Sequence, residues 1–468
     1  MKAMHFFISK RIHVSGWALC LPLILLGPQY ESRAEEKDQQ ESGQKVWTLD
    51  DCISYALENN ISLKQSRLTA ESAEIDVKTA RSALFPNLSF STSQSLINRP
   101  YQESSSTVSG TEILYSENST NYSGNYGLNA SWNIYSGGAN RKTIRQNELN
   151  SRIAHLDAET AANSIEESIA QTYVQILYAA ESVKVNENTL EVSIAQMERG
   201  KQLLEAGSLS RADYAQLQSQ VSSDKYQLVS SESALQDYKL QLKQLLELDQ
   251  DEEMLLAMPE ISDENVMSLV PSKRDIFNAA LGIRPEIESG KLNVEMSELN
   301  IGIARAGFLP TLSLSAGIGT NHTTGTDFTF TQQIKNGWNN SIGLTLSVPI
   351  FSNRQNRSAV EKARIQYRTS ELDLIQTHKD LYKSIENLWL DANSAQTQYD
   401  AAKEQVSSAR TSYDLVNEQF SLGMKTTVEL LTEKNNLQSA QQQLLQAKYM
   451  AVLNKALLRF YAGEKFRL

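Results

Sequence analysis

The stretch YSGNYGLNASWNIY, residues 122–135, says more about the fold than any other part of the chain. Read alternately, Tyr122, Gly124, Tyr126, Leu128, Ala130, Trp132 and Ile134 make one set. Ser123, Asn125, Gly127, Asn129, Ser131 and Asn133 make the other. Strand side chains alternate between two faces, so one face here is apolar and aromatic and the other small and polar. That contrast suits a strand crossing a membrane as part of a barrel, apolar outward and wet inward, where about 9–11 residues suffice. One such strand could equally be the exposed edge of a soluble sandwich.

The pattern recurs three more times. Leu88, Phe90, Thr92, Gln94 and Leu96 alternate with Ser89, Ser91, Ser93 and Ser95. Leu312, Leu314, Ala316 and Ile318 alternate with Ser313, Ser315, Gly317 and Gly319. Trp338, Asn340, Ile342, Leu344, Leu346, Val348 and Ile350 alternate with Asn339, Ser341, Gly343, Thr345, Ser347 and Pro349. Four strands are too few to close a barrel, and an open sheet edge is not tolerated in hydrocarbon. Strands of this kind that span a membrane require several chains to share one barrel.

The chain has 468 residues, of which 21% are charged and 40% hydrophobic, a balance typical of neither disordered nor helical membrane proteins. The apolar run at 12–27 follows Lys10 and Arg11 and precedes Ser32-Arg33-Ala34, a small-x-small cleavage site. It is too short for a membrane helix and reads as a secretory signal over 1–34. Lipidation at Cys20 is disfavoured because Leu19 stands where a small residue is wanted. The formal charge is −11, and cleavage would remove four basic side chains (Lys2, Lys10, Arg11, Arg33) against one acid, Glu31. So acidic a chain argues against nucleic acid as a partner. Cys52 would be the one remaining cysteine, which leaves stability to packing and oligomerisation.

A polar lead (35–45) precedes a helix expected over 48–84, with Thr48 or Asp50 as its cap. Strands over 87–97 and 122–135 flank a polar loop. Helices over 139–204 and 210–248 follow, separated by Gly207, and an acidic connector (249–273) closes a first repeat spanning 35–273. The plan then recurs over 274–468: helix 274–307, strands 311–320 and 338–351, helices 353–421 and 426–462. Ala56-Leu57 matches Ala280-Leu281, Ala80-Arg81 matches Ala304-Arg305, and Phe85-Pro86 matches Leu309-Pro310, all at an offset of 224. Beyond the strands, Tyr135-Ser136 matches Phe351-Ser352, Gly207 matches Gly423 and Asp213 matches Glu429, all at 216. A shorter second hairpin loop (321–337) absorbs the difference, and the pattern is that of an internal duplication.

The long helices carry heptads. Tyr399, Val406, Tyr413 and Phe420 recur every seven residues, with Ala402, Ala409 and Val416 between them. Leu430, Leu437, Leu444 and Ala451 do the same with Ala440 and Ala447, and Ile165, Ile169, Thr172, Ile176, Ala179 and Val183 step by four and three. This is left-handed coiled-coil packing. A second stripe (Tyr173, Leu177, Ala180) gives each helix two neighbours, as in a ring. An ordinary periplasmic coiled coil explains the helices as well but leaves the four strands without a purpose.

No catalytic constellation is legible, so the chain is not expected to be an enzyme or to carry a cofactor or metal. His5 and His13 lie in the signal, His155 and His378 stand alone on polar helix surfaces, and His322 sits in a loop, none at metal-ligand spacing. Gly317-Ile318-Gly319 lacks the third glycine and following helix of a dinucleotide loop. The connector acids Asp249, Asp251, Glu252 and Glu253 read as a solvated polar belt.

Taken together, the chain resembles the TolC family of outer-membrane efflux proteins. The resemblance rests on Trp47-Thr48-Leu49 leading to Ala56-Leu57-Glu58-Asn59-Asn60, on both Phe/Leu-Pro switches, on Trp132 through Gly138, and on Val348-Pro349-Ile350-Phe351-Ser352. It covers nearly all of the chain beyond the signal. It implies a mostly α fold with a membrane β-barrel portion: four strands per chain, and a homotrimer with a 12-stranded barrel and a 12-helix periplasmic tunnel. It also implies a passive duct in the outer membrane of a Gram-negative bacterium. The duct would be fed by a periplasmic adaptor (a membrane fusion protein) and an inner-membrane RND or ABC transporter.

The resemblance also places the functional ends at the two helix-turn-helix tips. Gly207, Ser208, Leu209, Gly423, Met424 and Thr426 take adaptor-contacting positions. Lys425 takes the basic gate position, Asp213 that of its acidic partner, and Glu429 a place in an acidic ring at the entrance. Phe420 and Thr432 depart from the pattern, the first where a hydroxyl would join the lock and the second where a further acid would stand. Independently of function, Gly207 and Gly423 suit left-handed helix C-caps. Ser210 with Asp213, and Thr426 with Glu429, have capping-box spacing. Type I protein secretion is a rival within the same class, and a periplasmic coiled-coil scaffold is a rival outside it. The exported substrate is not legible.

Overall fold

Two pairs of very long helices are joined to one four-stranded sheet in the computed structural model. It describes residues 46–99, 105–109, 112–116, 120–249 and 254–466, with backbone alone at 105–109 and 112–116. All belong to one unit, Lys45–Leu468. The expected signal, the polar lead, His5, His13, Cys20 and the acids Asp251, Glu252 and Glu253 lie outside the described residues.

In chain order, β1 (Val46–Trp47) leads to α1 (Leu49–Asn59), α2 (Ile61–Ser82), β2 (Asn87–Asn98), β3 (Ser105–Ser109), β4 (Glu112–Ser116) and β5 (Thr120–Ser136). Helices α3 (Ala139–Glu205) and α4 (Arg211–Leu246) follow, then β6 (Leu255–Leu256), α5 (Asp263–Met267), α6 (Lys273–Ile283) and α7 (Pro285–Ala306). The chain continues through β7 (Thr311–Thr323), α8 (Phe330–Asn336), β8 (Asn339–Ser347), α9 (Gln355–Ser421) and α10 (Thr427–Tyr461). Helices α3 and α9 each run 67 residues, on the order of 100 Å at 1.5 Å per residue.

The expected helix at 48–84 is two helices. Asn60 has φ −57° and ψ 127°, outside the helical region, and ends α1 while capping α2 through its side-chain acceptor on Leu63 N. Its amide also donates to the Leu245 carbonyl at 3.0 Å. The expected helix at 274–307 likewise breaks at Arg284-Pro285. Proline pushes the preceding residue out of the helical region and begins a new helix well, and Arg284 has ψ 123°.

The sheet order is β2-β5-β7-β8, antiparallel throughout. β8 ends at Ser347 rather than 351, where Pro349 has no N–H to continue a ladder. β7 runs on to Thr323, so His322 is in a strand and not a loop. It is buried against Tyr122, Tyr126 and Phe330. The loops at the sheet's far end hold structure not expected from sequence: the β3–β4 hairpin in one and α8 in the other. A third small sheet pairs β1 with β6 in parallel.

The main apolar core lies where α1, α3, α6, α9 and α10 meet and includes Cys52, Ile169, Tyr173, Ile176, Ile276, Ile385, Tyr399 and Leu458. The heptad residues of α3, α9 and α10 are buried or half-buried. Short α5 is tied to this core by Lys455, whose ammonium donates to the Val266 carbonyl at 2.9 Å, and by Tyr399, which bonds Asp263 at 2.5 Å. No described helix is long and apolar enough to cross a membrane.

Candidate functional site

The register of the sheet brings all four apolar alternations to one face. Leu128 lies opposite Phe90 and Ile318, Ala130 opposite Leu88 and Ala316, and Trp132 opposite Leu314. Leu314 in turn faces Leu344, and Ala316 faces Ile342. Directly opposed residues in an antiparallel pair point the same way, so these side chains form one continuous apolar surface. The other face gathers Ser91, Gly127 and Gly319, and Ser89, Asn129, Gly317 and Ser341. At one end the alternation slips. A bulge shifts the register between Asn133 and Tyr135, placing Tyr135 rather than Ile134 opposite Leu312.

Leu88, Phe90, Ile342 and Leu344 are each more than 60% exposed in the single chain. An apolar surface of this extent marks a lipid or protein contact. β2 and β8 are the outermost strands, and the outer edge of each has no partner within the sheet.

The opposite ends of the long helices are two tight turns. Gly207 and Gly423 both adopt φ +73°, the left-handed cap expected of them. In each turn the next residue bonds back: Ser208 N to Leu203 O at 2.8 Å, and Met424 N to Gln419 O at 2.9 Å. Ser210 then caps α4 by accepting from Asp213 N at 3.1 Å, and its hydroxyl donates to the Asp213 carboxylate at 2.6 Å. Thr426 and Glu429 form a complete capping box at the start of α10. Leu209 is half-buried, whereas Ser208, Leu422, Met424 and Val428 are exposed.

Within the chain Asp213 and Lys425 are not brought together. Asp213 bonds Ser210, while Lys425 Nζ, in the turn just before α10, donates to Glu429 in the first turn of that helix at 2.6 Å. That ammonium, with the Thr426 bonds behind it, holds the Glu429 carboxyl down at about 2. Phe420 is buried near the end of α9, and Thr432 bonds the Val428 carbonyl at 2.8 Å. An exposed ion pair of this kind contributes little to stability.

Sequence reasoning missed a buried polar cluster well inside the tips. Lys434 of α10 bonds both Asp224 of α4 and Ser193 of α3. Ser193 donates to the same Asp224 oxygen at 2.5 Å, and Gln220 donates to the other at 2.9 Å. All three central residues are only 3% exposed. Burial pushes the Lys434 ammonium below the usual lysine range, with the Asp224 bond opposing it. Breaking one partner of such a pair costs about 3–5 kcal/mol. A signal was present: Asp224 stands in the heptad frame of Leu217, Ser231 and Tyr238, and Lys434 in that of Thr427, each a charge at an inward position.

His155 bonds Glu74 at 2.9 Å and is half exposed, so it is not alone, though it is solvated. Among the described residues no group of three or more His, Cys, Asp or Glu could hold a metal ion.

A family model described as "Outer membrane efflux protein" matches residues 52–247 and 276–464. The alkaline protease secretion protein AprF of Pseudomonas aeruginosa is 28% identical over 39% of this chain and 37% of its own length. The outer membrane protein TolC of Escherichia coli K12 is 23% identical over 63% of this chain and 60% of its own. The chain thus spans less than two thirds of the length of either of these relatives. The crystal structure of the Campylobacter jejuni CmeC outer membrane channel superposes with a TM-score of 0.74, covering 90% of this chain and 87% of that one at 20% identity. That likeness is one of fold.

Proposed function

This chain belongs to the outer membrane efflux protein family, and from that premise we propose that it is a passive, trimeric exit duct of a tripartite export system. The observation that carries the reading is the common apolar face of β2, β5, β7 and β8 with its two unpaired edges. Pairing β2 of one subunit with β8 of the next leaves no edge. Three subunits would supply twelve strands, apolar toward lipid and lined inside by Ser, Asn and Gly. Such a lining is wet and has little chemical selectivity.

The long helices would continue this wall through the periplasm as a twelve-helix tunnel ending at the two tips. Asp213 would meet Lys425 only across hairpins of neighbouring subunits, since within one chain they are apart. Lys425 would then exchange Glu429 for Asp213, two weak pairs of similar worth, and an adaptor competing for these groups could tip the balance. Gly207, Ser208, Leu209, Gly423, Met424 and Thr426 would form the surface on which that adaptor docks. Energy would come from an inner-membrane transporter.

Protein secretion through an ABC-driven system is a second reading, favoured by the likeness to a protease secretion protein. Cell fractionation, SDS gels of unheated samples and planar-bilayer recording of the purified full-length protein test the proposal. Heat-modifiable trimers in the outer membrane that conduct ions are expected. Release in soluble form by osmotic shock would leave a periplasmic scaffold instead. Copurification with a proton-driven pump or with an ABC exporter separates the two cargo readings.

A further inference from the structure

We propose that Lys434, Asp224 and Ser193 form a pivot that clamps the two hairpins of each subunit together, confining movement of the entrance to the segments between the pivot and the tips. The inference rests on the channel reading above. The three residues come from α10, α4 and α3, so the cluster joins the α3–α4 hairpin to the α9–α10 hairpin and to nothing else. Lys434 lies eleven residues past Gly423, about 16 Å along the helix.

The bonding differs on the two sides of this point. Away from the tips the α3–α10 seam continues as a polar ladder: Ser182 donates to Gln442 at 3.0 Å, and Gln438 and Gln442 both donate to Asn186 at 3.3 Å. Towards the tips, the Gln196 amide donates to the Tyr413 hydroxyl at 2.7 Å. Beyond that contact no hydrogen bond or ion pair among the described residues joins the two hairpins. Each tip closes on itself, through Ser210–Asp213 in one and Thr426–Glu429–Lys425 in the other.

The cluster is also internally complete. Both Asp224 oxygens are bonded, and Gln220 bridges Asp224 to Asn435 at 2.9 and 3.2 Å. A dry apolar contact would tolerate sliding of α10 along α3. A desolvated ion pair with one matching acceptor does not, because any other register leaves a buried charge without a partner. The place of the cluster therefore sets where a splaying hairpin bends.

The test is single-channel conductance of the full-length trimer in planar bilayers, with trimer melting on SDS gels as a separate readout. Lys434→Met combined with Asp224→Leu removes both charges at similar volume. A resting conductance raised severalfold, with the trimer still SDS-resistant, is expected. The exchanged pair Lys434→Asp with Asp224→Lys is expected to restore conductance towards that of the unaltered protein. Unchanged conductance in the apolar pair would overturn the pivot. Should that pair fail to assemble, Ser193→Ala, which removes a single hydroxyl, is read the same way: a rise supports the pivot and no change overturns it. Absence of any pore from the unaltered protein sinks the channel reading and the pivot with it, whereas pores unaffected by these variants sink the pivot alone.

Discussion

The indole Nε1 of Trp132 donates to the backbone carbonyl of Leu84 at 2.8 Å. Leu84 lies just beyond the C-terminus of α2, where carbonyls have no partner within the helix. Trp132 belongs to the apolar face of β5. One side chain therefore faces the proposed lipid boundary with its ring and anchors the helix-to-strand switch with its N–H, the usual division for tryptophan at an interface. Trp132→Phe keeps most of the apolar area and loses the bond. We expect a loss of about 1 kcal/mol, seen as a lower melting temperature of the trimer with targeting unchanged.

The two faces of the sheet can be told apart by charge. Leu344→Arg puts a cation on the apolar face and should cost about 2–4 kcal/mol if that face meets lipid near the midplane. Ser341→Arg puts it on the polar face and should leave assembly intact. Equal losses, measured as the yield of folded trimer in the outer membrane, would refute the orientation.

Asn60 does two jobs, and each can be removed separately. Asn60→Asp keeps the acceptor for Leu63 N but loses the donor to the Leu245 carbonyl. Asn60→Ala loses both. Thermal unfolding should fall least for the first and by about 1–2 kcal/mol for the second.

At the proposed entrance, Lys425→Glu replaces the pair with Glu429 by two like charges four residues apart and removes the cation proposed to reach Asp213. Passive influx of a large antibiotic and single-channel conductance should both rise. Unchanged values would remove Lys425 from the gate.

Glu429 gives a pH dependence with a definite sign. Its carboxyl is held at about 2, below the ordinary value of 4.5. A carboxyl depressed on folding contributes stability that is fully present above its unfolded value and lost as pH falls through the folded one. The contribution should therefore persist at pH 5 and fade between pH 4.5 and about 2. Glu429→Gln should flatten that part of the melting-temperature profile, and mild acidification should not open the entrance through this residue.

The strand faces, the long helices and the tip glycines were legible because each is a local property. A period of two, a period of seven and a left-handed turn all reveal themselves within a few residues. Pro285 marked the break between α6 and α7 equally locally, yet the apolar pattern runs straight through it. The break at Asn60 carries no such mark. An Asn-Ile step can continue a helix, and its side chain finds a partner 185 residues away. The bulge at Asn133 is a relation to the partner strand β7, so alternation alone ran the apolar set on through Ile134, whereas Tyr135 is the residue opposite Leu312.

By itself the sequence determined that four strands each have one lipid-suited face, and that helices packed in heptads must accompany them. The tertiary structure decided that the four faces coincide, since register is a relation between strands and one slipped residue would turn a whole strand over. It also decided that Asp224 and Lys434, 210 residues apart, share one dry site while Asp213 and Lys425 within the chain do not. Two charges signal in a sequence that each needs a partner. Which partner each finds depends on how the backbone brings distant helices together.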